Sequence, residues 1–301
     1  MENKLYRRER YLEKLRPFYR DDDIIKVITG VRRCGKSCIM LSIIDELRES
    51  DVPDENIVFI DLDARGNRKV KDPDALEGLI DRSTPPAAQG TKYLFIDEVQ
   101  NVDGFEEVVN AYRNDGGFSI FLTGSNSYLL SGELATKLTG RYVEAEMFTL
   151  GFSEHLGMKQ FLGLSALPDA QEFEQWLSFG GFPRALRIAD PSAKDGYVRD
   201  VVDRVFEKDI RARKKIRNRI AFERSMAYAI NNFGATTNLT NITDYLDNVE
   251  HIKVKKQTLS GYLELLSNAK LLYRCPRFDL KSRRSLRGEE KYYLADPAIY
   301  R

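Results

Sequence analysis

With only three cysteines in 301 residues, and an excess of one positive charge, the chain is already limited in what it can be. An odd, sparse set (Cys34, Cys38 and Cys275) without a signal peptide argues for a reducing compartment. Cys34 and Cys38 alone do not make a zinc site. Forty-seven lysines and arginines meet 46 carboxylates. The global field therefore does not announce a nucleic-acid partner, and any such partner must be met by a local patch. No apolar run reaches membrane-span length. The charged N-terminus lacks the apolar segment of a secretion signal. The expected location is the cytoplasm, with no membrane partner. Internal repeats and low-complexity tracts are missing. What remains is a globular chain, 42% hydrophobic and 31% charged, with length for two domains.

Within that frame one stretch carries specific chemistry. Gly30-Val31-Arg32-Arg33-Cys34-Gly35-Lys36-Ser37 matches the phosphate-loop pattern G-x-x-x-x-G-K-[ST] at every fixed position. The β-branched run Ile24–Thr29 before it reads as a buried strand, and the run from Ser37 to Leu47 after it has helical apolar spacing. Glycines let the backbone wrap a phosphate, and the amides at a helix N-terminus supply positive potential. Lys36 is expected to reach the β- and γ-phosphates, and the Ser37 hydroxyl to hold Mg²⁺. Nucleotide contacts are expected along Gly30, Arg32, Arg33, Cys34, Gly35, Lys36, Ser37 and Cys38. A helix N-terminus and neighbouring cations lower a thiol's pKa, so Cys34 is either a reactive thiol or, the preferred reading, a buried inert one.

A second element supports the first. Lys92–Gln100 is an apolar strand ending in adjacent carboxylates. Asp97 is expected to hold Mg²⁺ through its water shell, and Glu98 to polarise an attacking water. One strand, Ile57–Asp61, fits between the two motifs, and a further strand, Phe118–Leu122, ends in Thr123-Gly124-Ser125-Asn126-Ser127. In additional-strand ATPases a polar residue at this tip senses the γ-phosphate. Asn126 and Ser125 are the candidates, unless the tip is a plain hydrogen-bonded turn.

Residues 1–20 read as a basic amphipathic helix in which Tyr11 either packs in a core or touches adenine. Residues 21–150 alternate strand and helix, the pattern of a three-layer α/β core with a parallel sheet, which Tyr142–Phe148 closes. From Phe152 the pattern turns helical, with Asp169–Phe179, a break at Gly180-Gly181-Phe182-Pro183, and a longer helix from about Ala193 to Ile216 ending in Arg211, Arg213, Lys214, Lys215, Arg217 and Arg219. Residues 220–301 read as a winged helix, with helices Ala221–Asn232, Leu239–Leu246 and Lys256–Leu266 before a two-strand hairpin. Leu259, Tyr262, Leu263 and Leu266 have the spacing of a buried face. Lys253, Lys255 and Lys256 precede the third helix, and Lys281, Arg283, Arg284 and Arg287 lie in the wing. That placement fits DNA, with the third helix in the major groove and the wing on backbone. Winged helices also dock proteins, and both partners stay open.

Together these residues resemble a family, the bacterial and archaeal AAA-type ATPases with a C-terminal domain of unknown function, an archaeal-style group related to signal-transduction ATPases. The likeness covers almost the whole chain through RRERYLEKL (7–15), ITGVRRCGKS, LFIDEVQ, TGSNSYLLSGELATKLTGRY, GGFP, EKDIRARKKIRN and KYYLADPAI. TGSNS followed by LTGRY, with GGFP later, is the more specific part. The resemblance implies an additional-strand, AAA-type P-loop NTPase over 1–150, a helical lid over 151–219 and a winged-helix domain over 220–301. It also implies ATP and Mg²⁺ as ligands and Glu98 as catalytic base. Arg141 becomes the arginine that completes a site, in cis or across a subunit boundary, or else a structural arginine paired with a sheet-edge carboxylate. Arg32 and Arg33 either hold phosphate oxygens or lock the loop by ion pairs. Pro183 matches a lid proline that packs on adenine, unless GGFP simply breaks a helix. Family members usually continue for on the order of a hundred residues beyond YYLADP, often in a nuclease-like fold. No nuclease activity is expected of these 301 residues.

The expected activity is Mg²⁺-dependent ATP hydrolysis that moves the lid and winged helix. The alternative is a nucleotide-gated DNA-binding or adaptor protein with little turnover, working with a protein partner or as a homo-oligomer. A small-molecule kinase ranks below both, because it needs an acceptor pocket and a lid with paired arginines. A GTPase is disfavoured, because no N-K-x-D occurs.

Overall fold

The computed structural model describes residues 5–86, 88–124, 140–205, 207, 210, 216–279 and 284–300, with the side chains of 284–289 outside the description. The chain divides into two compact units, one of residues 1–30 and 34–147, the other of residues 31–33 and 148–301.

The first unit is built on five strands, β1 (Ile25–Gly30), β2 (Ile57–Asp61), β3 (Lys92–Asp97), β4 (Phe118–Gly124) and β5 (Tyr142–Met147). Their order is β2-β3-β4-β1-β5, and every pairing is parallel. Strand β4 thus stands between the phosphate-loop strand and β3. Parallel strands covered on both faces read as continuous apolar runs, and β1 is buried at all six positions. On one face Val27, Ile60, Leu94, Ile96 and Leu122 pack with Leu76 and Ile80 of α3 (Pro73–Ser83) and Val108 and Val109 of α4 (Phe105–Asp115). On the other lie α1 (Glu9–Leu15) and α2 (Lys36–Glu49), with Phe95 stacked on Phe121 at 4.5 Å. Ile39, Met40, Ile43, Ile44 and Leu47 of α2 are buried, each contributing about 1.5–3 kcal/mol by removal from water. In the lead-in expected over residues 1–20, the described residues, from Leu5 on, become helical at Glu9. After Leu15 the chain tightens into a 3₁₀ turn over Arg16–Phe18, where Pro17 cannot donate to a continuing helix. The carboxylate-bearing strand stops at Asp97, and Glu98 turns into the left-handed region at φ 56°.

The ammonium-bearing side chain of Lys26 is fully buried in this unit. Lys26 of β1 donates to Asp21 O at 2.7 Å, Ile24 O at 2.9 Å and Ser119 Oγ at 2.7 Å. Burial lowers its pKa to about 7, against the pull of Asp21 and Asp22. A buried amine with a depressed pKa binds fewer protons folded than unfolded between pH 7 and 10.5. Its penalty is therefore full below about pH 7 and fades as pH rises. Lys26→Met should remove this dependence. In denaturant unfolding, the stability of wild type relative to the variant is expected to rise from pH 7 to pH 10, and a flat difference would contradict the reading.

The second unit carries helices α5 (Phe152–Phe161), α6 (Asp169–Phe179), α7 (Pro191–Arg204), α8 (Arg219–Asn231), α9 (Leu239–Asn248) and α10 (Lys256–Asn268). The N-termini of α7, α8 and α9 are capped by Asp190, Asn218 and Asn238, whose side chains accept from Ala193, Ala221 and Thr240 amides. Strands β6 (Thr236–Thr237), β7 (Leu272–Asp279) and β8 (Arg284–Leu294) form an antiparallel sheet in the order β6-β8-β7. Leu259, Tyr262, Leu263 and Leu266 are buried as their spacing predicts. Strand β6, between α8 and α9, is too short to leave a sequence pattern. The helix expected from Ala193 to Ile216 is described as α7 to Arg204; Arg211, Arg213, Lys214 and Lys215 lie outside the described residues, as do Lys281 and Arg283 of the wing. Buried Asp296 accepts from the Gly181 amide at 2.8 Å and the Ala298 amide at 2.9 Å, and Trp176 Nε1 donates to Leu150 O at 2.9 Å. These bonds tie the start of the unit, its glycine turn and its end. Among the described residues no helix is long and apolar enough to cross a membrane.

Candidate nucleotide site

The C-terminal ends of β1, β3 and β4 bring the two motifs together. Strand β1 ends at Gly30, where φ is +146°, and α2 begins one residue after Gly35, at φ +108°. Lys36 is the first residue of α2 and Ser37 the second. The Lys36 ammonium is buried and donates to Gly30 O at 3.2 Å. Ser37 donates to the carboxylate of Asp97, which also accepts from Thr123 Oγ1 at the tip of β4. Burial raises the Asp97 pKa, while the Ser37 and Thr123 hydrogen bonds and the Lys36 charge pull it down. The Glu98 amide donates to Thr123 Oγ1 at 2.9 Å, and Gln100 Nε2 donates to the Glu98 carboxylate. Thr123 therefore clamps both carboxylate residues from the neighbouring strand.

The loop is held from behind as well. Arg8 is 5% exposed, and its Nη1 donates to Cys34 O at 3.1 Å. Its guanidinium carbon lies 4.7 Å from the centre of the Tyr11 ring, a cation–π contact. Tyr11 is buried, as its core-packing alternative has it. Cys34 is fully buried, and burial pushes its thiol pKa up against the charges of Lys36 and Arg8. That is the inert thiol, not the reactive one. Cys38 is exposed on the first turn of α2. Arg32 is half-buried. Arg33 takes a left-handed backbone, φ 65°, and its guanidinium lies over the Tyr197 ring at 5.2 Å, within the second unit. Pro183 opens a 3₁₀ turn over Pro183–Arg187 in that same unit, behind buried Phe182.

Arg141 stands apart. It precedes β5, whose Tyr142 pairs with Ile25 and whose Met147 pairs with Gly30. The parallel register puts Arg141 at the N-terminal edge of the sheet, about 16 Å along the strands from the loop edge at roughly 3.3 Å per residue. Its Nη1 meets Asp23 Oδ1 at 3.1 Å, a carboxylate shared with Arg113. This pairing with a sheet-edge carboxylate is the one its structural alternative describes, at the edge of the sheet opposite the loop. Asn126 and Ser125 lie outside the described residues. Sequence reasoning missed Thr123 and Arg8. A hydroxyl at the strand tip beside an expected metal carboxylate was a usable signal for the first, and nothing distinguished Arg8 among its basic neighbours.

The donor set fits Mg²⁺. A hydroxyl and a buried carboxylate offer hard oxygen ligands, and Mg²⁺ takes few protein ligands and completes its shell with phosphates and water. The positive end of α2 and the Lys36 ammonium suit a polyphosphate.

Comparison with known proteins bears on the family and the fold. The AAA domain family matches residues 22–156, and a domain of unknown function, DUF8612, matches residues 170–301. An uncharacterized protein of Haemophilus influenzae is 34% identical over 301 residues, covering all of this chain and 74% of that protein. An uncharacterized protein of Methanocaldococcus jannaschii is 32% identical over 270 residues, covering 86% of this chain and 58% of that one. Among solved structures, the Walker-type ATPase paby2304 of Pyrococcus abyssi aligns with a TM-score of 0.67 at 17% identity, covering 99% and 96% of the two chains. The ORC2 protein of Aeropyrum pernix, solved with ADPNP and ADP, aligns at 0.57 and 13% identity, covering 99% and 92%. At such identities these two show a shared fold.

Proposed function

Because this chain belongs to the AAA-type P-loop ATPases that carry a C-terminal domain of unknown function, we propose that it binds ATP with Mg²⁺ and hydrolyses it. The observation that carries the proposal is the convergence of Lys36, Ser37, Asp97, Glu98 and Thr123 at one helix N-terminus. The α2 amides and Lys36 hold the β- and γ-phosphates. Ser37 and Asp97 hold Mg²⁺, which when bound neutralises charge on the transferring phosphoryl group. Glu98 orients a water and accepts its proton as the water oxygen bonds to the γ-phosphorus. The bond from that phosphorus to the bridging oxygen breaks, leaving ADP and inorganic phosphate. Asn126, two residues after β4 in the sequence, is proposed to sense the γ-phosphate, and Arg32 and Arg33 to steady the loop.

Arg141 is proposed to act in trans, completing the site of a second copy. Turnover per subunit is then expected to rise with protein concentration, and Arg141→Ala to flatten that rise. Turnover independent of concentration, in wild type and variant alike, would remove the trans role.

Residues 151–219 are proposed as a helical lid, in which Pro183 packs on adenine, and 220–301 as a winged helix that responds to nucleotide. The helix–strand–helix–helix–strand–strand order of 219–294 supports that reading. A DNA-binding or adaptor role with little turnover is the second reading, favoured by exposed Lys253, Lys255 and Lys256 at the entrance to α10. Under it, Lys255→Ala with Lys256→Ala should reduce the salt slope of DNA binding by about two, near 0.9 per phosphate contact. An unchanged slope would exclude DNA contact at this helix.

A further inference from the structure

The second unit contains a cleft that the nucleotide reading does not use. It lies among α5, α6, the 3₁₀ turn after Pro183 and the start of α7, and its volume is about 210 Å³. That is smaller than the roughly 300–1,000 Å³ of drug-sized sites. Its polar wall holds His155, Lys159 and Lys194, and its apolar wall includes Leu164, Phe179 and Ile188.

His155 is 5% exposed; its Nδ1 has no hydrogen-bond partner, and its Nε2 faces Glu172 Oε2 at 3.6 Å, an ion-pair distance. A buried imidazole nitrogen left this way loses its solvation without return. Glu172 is fully buried, and its other oxygen accepts from Lys159 Nζ at 2.5 Å and the Leu167 amide at 2.7 Å. Lys194 has no carboxylate within ion-pair distance among the described residues; its ammonium sits 5.1 Å from the Phe179 ring centre. Two ammonium groups and an imidazole thus share a single carboxylate, and the excess positive charge faces the cleft.

We infer that this cleft binds a small organic anion, its carboxylate or phosphate group held by Lys159 and Lys194 beside the buried His155 ring and its short apolar body lying on Phe179, Leu164 and Ile188. Glu172 stands behind the imidazole and Lys159 and steadies both once the anion is seated. The local electrostatics agree. Burial lowers the His155 pKa, with Lys159 and Lys194 acting in the same sense against Glu172, and burial with the Lys159 charge lowers that of Lys194. A bound anion reverses both trends. The His155 pKa should therefore rise on binding, and affinity should strengthen as pH falls toward the imidazole's ordinary range.

The chain has two histidines, so proton NMR of the imidazole Cε1–H resolves the question directly. His251, exposed and distant in sequence, is the internal control. Inorganic phosphate and butyrate are titrated separately into the full chain, and into Lys36→Ala to exclude an effect relayed from the phosphate loop. The expected result is a saturable shift of the His155 resonance and a raised His155 pKa with at least one probe, in both backgrounds. Lys194→Gln should weaken that binding by about tenfold or more, the usual value of one charge-assisted contact. A response to phosphate alone identifies a phosphate ester as the natural class, and to butyrate alone a carboxylic acid. A His155 resonance that ignores both probes, or a response that Lys194→Gln leaves unchanged, overturns the inference.

Discussion

Glu98→Gln is expected to lower ATP turnover by about 10²–10⁴-fold, the contribution of a general base, while ATP affinity stays within about threefold of wild type. The reason lies in how Glu98 is held. Its backbone occupies the left-handed region at φ 56°, which an L residue takes only when its surroundings hold it there. The hold is visible in the amide bond to Thr123 and the side-chain bond from Gln100. Glutamine keeps the shape and the amide bond but cannot accept the proton from water. Phosphate release under saturating ATP, set beside equilibrium binding of labelled ATP, separates the two effects. Turnover within a few-fold of wild type would remove Glu98 as the base.

The second large effect is on the loop's backbone. A Cβ built on Gly30 meets Met147 O at 2.2 Å and Cys34 Sγ at 3.0 Å, in a backbone region that favours glycine. Neither neighbour can give, since one is β5 backbone and the other is fully buried. Gly30→Ala is expected to destabilise by about 3 kcal/mol or more, from backbone strain plus overlap, which lowers Tm by roughly 6–12 °C for a unit of this size. Gly35 provides the comparison. Its φ is +108°, but a Cβ there meets nothing within 4 Å. Gly35→Ala thus carries strain alone, about 1–2 kcal/mol. Thermal unfolding of the two variants side by side should place Gly30→Ala well below Gly35→Ala, and equal midpoints would contradict the close approach of β5 to the loop.

Sequence and structure agree most closely at short periodic runs bounded by turn and breaker residues. Strand β2 and helix α6 have the bounds their patterns predict, and β1 is displaced by a single residue, because parallel strands and short amphipathic helices leave strong periodic signals. Lys36 and Ser37 were readable as candidates because the phosphate pattern fixes residue types and spacing together, and Asp97 and Glu98 because they end an apolar strand run. Thr123 was less so, because its role comes from β4 lying beside β3, a pairing between residues 26 apart. Arg8 reads as one more basic residue until its burial against Cys34 O is seen. The position of Arg141 depended on the register of β5 against β1, which no local pattern encodes. His155, Lys159, Glu172 and Lys194 sit on three helices, and their convergence leaves no trace in the sequence.

The central claim is that the loop between β1 and α2, with the carboxylates after β3, turns over ATP. Phosphate release from MgATP by the purified chain, run beside Lys36→Ala and over a range of protein concentrations, tests it most directly. Measurable turnover is expected in wild type, with loss of both ATP binding and turnover in the variant. Wild-type protein that binds no ATP, or a Lys36→Ala variant that hydrolyses it as fast as wild type, would contradict it.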